Sequence, residues 1–145
     1  MLLLVASTQL WAAEPLSGKW VLKSQEIAGQ KTDPNPLTLA ITPSGKSLEF
    51  AYLVTANDAQ VISLKFTSPL DGTAAEVTGV DGTKIGTAKV AKDGASYKVL
   101  LEGPNRPAAS GQMTVSADGK TLTSESDVKT PSGMTVHTVQ VFSRQ

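Results

Sequence analysis

One histidine and a scatter of carboxylates are the residues of this sequence whose chemistry could be catalytic. His137 is the sole histidine, and there is no cysteine. A zinc or transition-metal site needs several nitrogen, sulfur or carboxylate ligands at matched spacing. A lone imidazole without thiolates does not begin one. As a general base, His137 would need a nucleophile within reach and an acid to orient it, and no motif supplies them. It falls in the run Met134–Phe142 with Thr135, Val139 and Val141 on its face, and reads as an ordinary strand residue. Glu49, Glu76, Glu102 and Glu125 lie on or beside apolar runs. A glycosidase needs two carboxylates facing each other across a cleft. Outward acids on strands are solvated charges that blunt sheet edges, and that is how these four read. Asp71, Asp81, Asp93 and Asp118 each precede a glycine, so turn chemistry accounts for them. No D-x-D-x-D-G run marks a calcium loop, and no glycine-rich loop opens a helix to cradle phosphate. The sequence predicts no enzyme, no catalytic residue, no metal and no cofactor.

The elements that would position any site are easier to read. Asp-Gly pairs at 71–72, 81–82, 93–94 and 118–119, and Ser-Gly pairs at 44–45 and 132–133, punctuate the chain. Such pairs tolerate the positive φ that tight hairpins require. Between them lie short runs rich in Val, Ile, Thr and Leu: Lys19–Ser24, Leu37–Thr42, Leu48–Thr55, Gln60–Thr67, Ala74–Val80, Thr83–Ala91, Ser96–Glu102, Gly111–Ser116, Thr121–Val128 and Met134–Phe142. Several alternate with period two, which gives one buried and one wet face. Leu48, Phe50, Tyr52 and Val54 share a face; so do Ile62, Leu64 and Phe66, and so do Tyr97, Val99 and Leu101. No stretch holds a helical period. Gln25–Pro36 and Gly103–Ala109 read as proline-broken loops. The prediction is an all-β chain: a single antiparallel up-and-down β-barrel of about 8–10 strands.

Length and charge bound the partners. The chain has 145 residues, 40% of them hydrophobic, which suits one domain with a packed core. Lys+Arg and Asp+Glu are each 13, with no basic run. That excludes the electrostatic footprint of a nucleic-acid binder and the polybasic anchor of an anionic-membrane binder. The start, "MLLLVASTQLWAAEP", carries a short apolar run followed by Ala12-Ala13. Residues 1–13 read as the back half of a signal peptide, with residues 14–145 as the exported domain. The competing reading is an apolar N-terminal strand, since no Lys or Arg precedes the run. No later segment approaches the ~20 apolar residues of a membrane-spanning helix.

The stretch "LSGKW" at Leu16–Trp20 opens the first strand and resembles the Gly-x-Trp signature of lipocalins and their calycin relatives. In that group the tryptophan packs across the closed end of the barrel, usually against a basic residue of the last strand. The resemblance implies a structural closure made by Gly18, Trp20 and Arg144. "LTLAITPSG", "VSADGKTLT" and "HTVQVFSRQ" are further similar to small exported bacterial proteins called lipocalin-like, which have no assigned activity. The second and third lipocalin motifs are absent. Fatty-acid-binding proteins place a helix pair between their first two strands, and Gln25–Pro36 is too short for that. The resemblance implies a lipocalin-like barrel in a periplasmic or secreted protein.

On that fold, Phe50, Tyr52, Ile62, Leu64, Phe66, Tyr97 and Val99 are the expected interior residues that would touch a small apolar or amphipathic ligand, with Gln25–Pro36 over the mouth. The alternative is a solid barrel working through its surface, because an eight-stranded barrel has room for little more than its own side chains. Oligomeric state is not legible.

Overall fold

Period-two alternation commits each run to one buried face, and curling the strands into a cylinder satisfies all of them at once. The computed structural model describes residues 14–104 and 106–145. The apolar run and cleavage-like site at residues 1–13 lie outside the described residues. The strands are β1 (Gly18–Ile27), β2 (Gln30–Thr32), β3 (Leu37–Ser44), β4 (Ser47–Ala56), β5 (Ala59–Ser68), β6 (Ala75–Thr78), β7 (Lys84–Asp93), β8 (Ser96–Gly103), β9 (Arg106–Val115), β10 (Thr121–Lys129) and β11 (Thr135–Arg144). Each strand from β3 to β11 pairs antiparallel with the next, β1 pairs with β3, and β11 returns to β1. The closing seam runs from Trp20 opposite Arg144 to Ile27 opposite Thr138. Ten strands therefore form a closed up-and-down barrel, with β2 appended, and closure removes the exposed edges that invite aggregation. Among the described residues there is no helix.

The core occupies one end. Trp20, Leu39, Phe50, Tyr97, Leu122 and Phe142 are all at 0–1% exposure. Phe50 and Phe66 face each other across β4 and β5, their rings stacked with centroids 4.7 Å apart. Aromatic pairs of this kind contribute about 0.5–1.5 kcal/mol beyond the area they bury. The thinnest seam in the wall is β5–β6, joined by the single ladder pair Lys65–Thr78. Before β6 begins, the chain crosses to β7, where the Lys92 N–H donates to Leu70 O and the Gly72 N–H donates to Val90 O.

Three local expectations change. Gln25–Pro36 is not a plain loop. β1 runs on to Ile27, turns through Ala28 and Gly29 at positive φ, and returns as β2, with Gln25 opposite Thr32. The polar composition of "QEIAGQKT" hid this hairpin, because two-sided polar strands carry no alternation. Gly103–Ala109 is not all loop either, since β9 starts at Arg106. The β8–β9 register skips Pro107, passing from Leu101–Ala109 to Gly103–Arg106. A residue without an N–H is tolerated at such an irregularity. Finally, Ile62 leaves the interior set. The β4–β5 register slips between Tyr52 and Leu53, so that Leu64 faces Tyr52, Ser63 has no partner and Ile62 faces Leu53. One extra residue reverses the faces beyond it, and Ile62 is 38% exposed.

Candidate functional site: the barrel interior

The base is a plug. The Trp20 indole N–H donates to Leu16 O at 3.0 Å, and the Arg144 guanidinium lies 4.2 Å from the ring centroid. Arg144 is held on three carbonyls: Nε donates to Gly119 O at 2.7 Å, Nη1 to Ser17 O at 2.6 Å and Nη2 to Pro15 O at 2.7 Å. One cation thus ties the β9–β10 turn and the segment before β1 to the end of β11. Gly18 makes room for it. Its φ is +138°, and a Cβ there would collide with Arg144 Nη1. Tyr97 extends the same plug. Its hydroxyl donates to the Glu14 carboxylate, Lys92 Nζ lies 3.5 Å from Glu14, and the same ammonium is 5.8 Å from the Tyr97 ring centroid. Burial, and then the Glu14 carboxylate, raise the Tyr97 pKa, so the phenol stays protonated.

Above the plug the inner face changes character. Leu37, Tyr52, Leu64, Val99 and Leu101 pack on the core but are only partly buried. Burial of the Tyr52 ring against this wall desolvates its phenol and pushes the pKa up to about 12, leaving a neutral hydroxyl. On the opposite arc the inward positions are polar in mid-barrel and apolar again toward the rim, where Val128 faces Val136 and Ile27 faces Thr138. Counting by twos from buried Leu122 on β10 gives Ser124 and Ser126; counting back from buried Phe142 on β11 gives Gln140 and Thr138. These positions are partly buried, whereas Glu125, Asp127 and His137 between them are exposed. The register agrees, pairing Ser124 with Gln140 and Ser126 with Thr138. A slip in β1 between Leu22 and Ser24 then turns Gln25 to the same side, opposite Gln140. Gln140 Nε2 donates to Gln25 Oε1 at 2.9 Å, and Gln25 Nε2 donates to Thr32 Oγ1 at 3.2 Å. That relay joins β11 to the appended strand β2.

The interior residues expected from sequence therefore separate. Phe50, Phe66 and Tyr97, at 0–2% exposure, fill the base. Tyr52, Leu64 and Val99 belong to the partly buried half above it. Ile62 lies on neither. The polar arc was missed because Ser124–Asp127 read as polar on both faces and Gln140 stands between Val139 and Val141, until the buried Leu122 and Phe142 set the phase.

The outer surface carries the titratable groups. His137 Nδ1 is 2.8 Å from Asp127 Oδ1, with both side chains more than half exposed. The hydrogen bond that the ring N–H donates to Asp127 outweighs desolvation and raises the His137 pKa above 6.5. A raised folded-state value makes this contribution to stability complete below the unfolded value and lost as pH rises through the folded one. NMR titration of the ring should show a midpoint above 6.5 that falls back in Asp127→Asn; an identical midpoint in the variant would refute the pairing. An open groove of about 580 Å3 runs across β7–β11 between Lys89 and Lys98 on one side and Glu125 and Asp127 on the other. It is open to the surface. Among the described residues no group of three His, Cys, Asp or Glu side chains could hold a metal ion, and no helix is long and apolar enough to cross a membrane. Asp81 and Asp118 serve turns: Thr83 Oγ1–H and N–H donate to Asp81 at 2.6 and 3.1 Å, and the Ser116 Oγ–H and the Lys120 N–H donate to Asp118 at 2.6 and 3.0 Å. These bonds hold both carboxyls below the usual range.

This is the architecture of a calycin-type barrel, closed at its base by an indole under a guanidinium. No family model and no curated relative matches the sequence. Among solved structures, the chain is similar to zebrafish ileal bile acid-binding protein complexed with cholic acid, at 20% identity and a TM-score of 0.60, over 91% of this chain and 100% of that one. It is also similar to apo Caenorhabditis elegans lipid binding protein 8, at 11% identity and a TM-score of 0.62, over 92% of this chain and 97% of that one. At these identities the likeness defines the fold.

Proposed function

We propose that the chain is an exported, non-enzymatic binding protein that holds a small apolar or amphipathic ligand in the upper half of its barrel. The observation that carries this is the grading of one inner face. Side chains on it are at 0–2% exposure around Trp20 and Phe50 at the base, and only partly buried at Leu37, Tyr52, Leu64 and Val99 above. A solid barrel would bury this face along its whole length. Small inward residues such as Ala75 and Ala109 widen the upper half. The neighbouring structures carry names of the same kind, a bile acid-binding protein complexed with cholic acid and a lipid binding protein, which supports the reading. Burial of apolar ligand surface would drive binding at about 25 cal/mol per Å2. Export, to a bacterial periplasm or medium, rests on the apolar start and the Ala12-Ala13 site.

The test is retention. Purified protein is mixed with Nile red, a neutral polarity-sensitive dye, and separately passed through a lipid extract before native mass spectrometry. Enhanced, blue-shifted emission that a lipid displaces is the expected result. A protein empty in both experiments is instead a filled barrel acting through its surface, for which the groove between Lys98 and Glu125 is the supporting feature.

A further inference from the structure

The upper interior is two-sided, and its chemistry names a class of ligand. One arc, from β3 through β8, presents Leu37, Tyr52, Leu64, Val99 and Leu101. The other, on β1, β10 and β11, presents Gln25, Ser124, Ser126, Thr138 and Gln140. Each of these five is an amide or a hydroxyl, able both to donate and to accept hydrogen bonds, and the apolar Val128, Val136 and Ile27 follow them toward the rim. None is ionised. Among the residues whose side chains are described, the inward positions between the plug and the rim hold no Lys, Arg, Asp, Glu or His. Arg144 is committed to three carbonyls beneath the plug, and Lys92 is paired with Glu14 there. The other described lysines lie on outward positions or in turns.

A carboxylate or phosphate moved into this space would lose its hydration without meeting a positive partner, which is strongly disfavoured. A neutral hydroxyl meets groups of its own kind. The Gln140–Gln25–Thr32 relay uses one amide proton of Gln140 and one of Gln25, leaving the Gln140 carbonyl oxygen and a second amide proton to engage a hydroxyl that accepts and donates. Building on the carrier reading above, we infer that the barrel selects neutral, hydroxyl-bearing amphiphiles, such as long-chain alcohols or monoacylglycerols, and discriminates against the corresponding anions. The apolar arc takes the hydrocarbon, and the polar arc takes the head.

Matched ligands test this directly. Displacement of Nile red from the whole protein is measured at pH 8 with 1-dodecanol, 1-monododecanoylglycerol and dodecanoate, which share one chain length. The two neutral ligands should bind at least about tenfold tighter than the anion. Dodecanoate should gain affinity as pH falls toward its own pKa, while the alcohol does not change. Gln140→Arg places a cation on the polar arc and should reverse the order; Ser124→Ala with Ser126→Ala, a smaller change to the wall, should weaken the glycerol ester severalfold more than Nile red itself. Dodecanoate binding as tightly as dodecanol at pH 8 would overturn the inference and leave the carrier reading standing. So would a protein that binds the dye but neither neutral ligand. Failure to bind the dye or any of the three would remove both.

Discussion

Trp20→Ala should lower stability by about 3–5 kcal/mol, in the range for removing a fully buried aromatic. For a chain of this size that corresponds to a fall in melting temperature of roughly 10 °C or more. The indole is at 0% exposure, donates to Leu16 O at 3.0 Å, and carries Arg144 over its face at 4.2 Å. Its removal opens a void at the base and also leaves the Leu16 carbonyl without its partner. Arg144 would lose the surface it stacks on while keeping three carbonyl acceptors, so the damage should be centred on the packing. A double-mutant cycle with Arg144→Ala isolates the stacking, worth about 0.5–2 kcal/mol for a cation on an indole. Thermal unfolding followed by circular dichroism decides the matter. A Trp20→Ala melting point within 2–3 °C of the parent, on the same scale, would mean that the base is held by something other than this plug.

Gly111→Ala is expected to cost about 3 kcal/mol or more, the upper end of the range for overpacking. The reason is backbone, not side chain. A Cβ on Gly111 would overlap the carbonyl oxygen of Glu125 and lie 2.7 Å from Ser126 Cα on β10. Neither can retreat, because β9 and β10 are laddered from Val128–Ala109 to Leu122–Val115 on both sides of the contact. Gly86 on β7 meets the Glu102 carbonyl of β8 in the same way, so both glycines mark places where adjacent strands approach too closely for a side chain. Ser110→Ala, one residue away and exposed, should fall within about 0.5 kcal/mol of the parent. Chemical denaturation of the two variants separates the readings: equal midpoints would show that the wall relaxes around the methyl group and that no close approach needs defending.

The ten apolar runs became ten barrel strands because their alternation and their Asp-Gly and Ser-Gly turns are local signals. Thr83–Ala91 and Thr121–Val128 needed no knowledge of their neighbours to be recognised. The short strand β2 was invisible for the complementary reason. Gln25 and Thr32 pair through polar side chains, and a strand exposed on both faces leaves no period in the sequence. The start of β9 was obscured by Pro107, whose effect depends on whether its missing N–H falls on a ladder position or on an irregularity.

The candidate site was half legible. Tyr52, Leu64 and Val99 could be assigned to the interior from alternation alone. Whether Phe50 or Tyr52 lies in the plug could not, since both have the same phase on β4 and differ only in height along the barrel. Ile62 shows the limit most plainly. It shares the phase of Leu64 in the sequence, but the slip at Ser63 turns it away, and a bulge is set by strand pairing.

By itself the sequence determined the strands, their turns and the antiparallel barrel class, because each follows from residue types at short spacing. Only the tertiary structure decided where the cylinder closes, which inward residues plug it and which line it, and that Gln25, Ser124, Ser126 and Gln140 converge on one polar arc. Those outcomes depend on register between strands, and in the case of Gln25 and Gln140 on a pairing across 115 positions. No pattern confined to a single segment of chain can encode them.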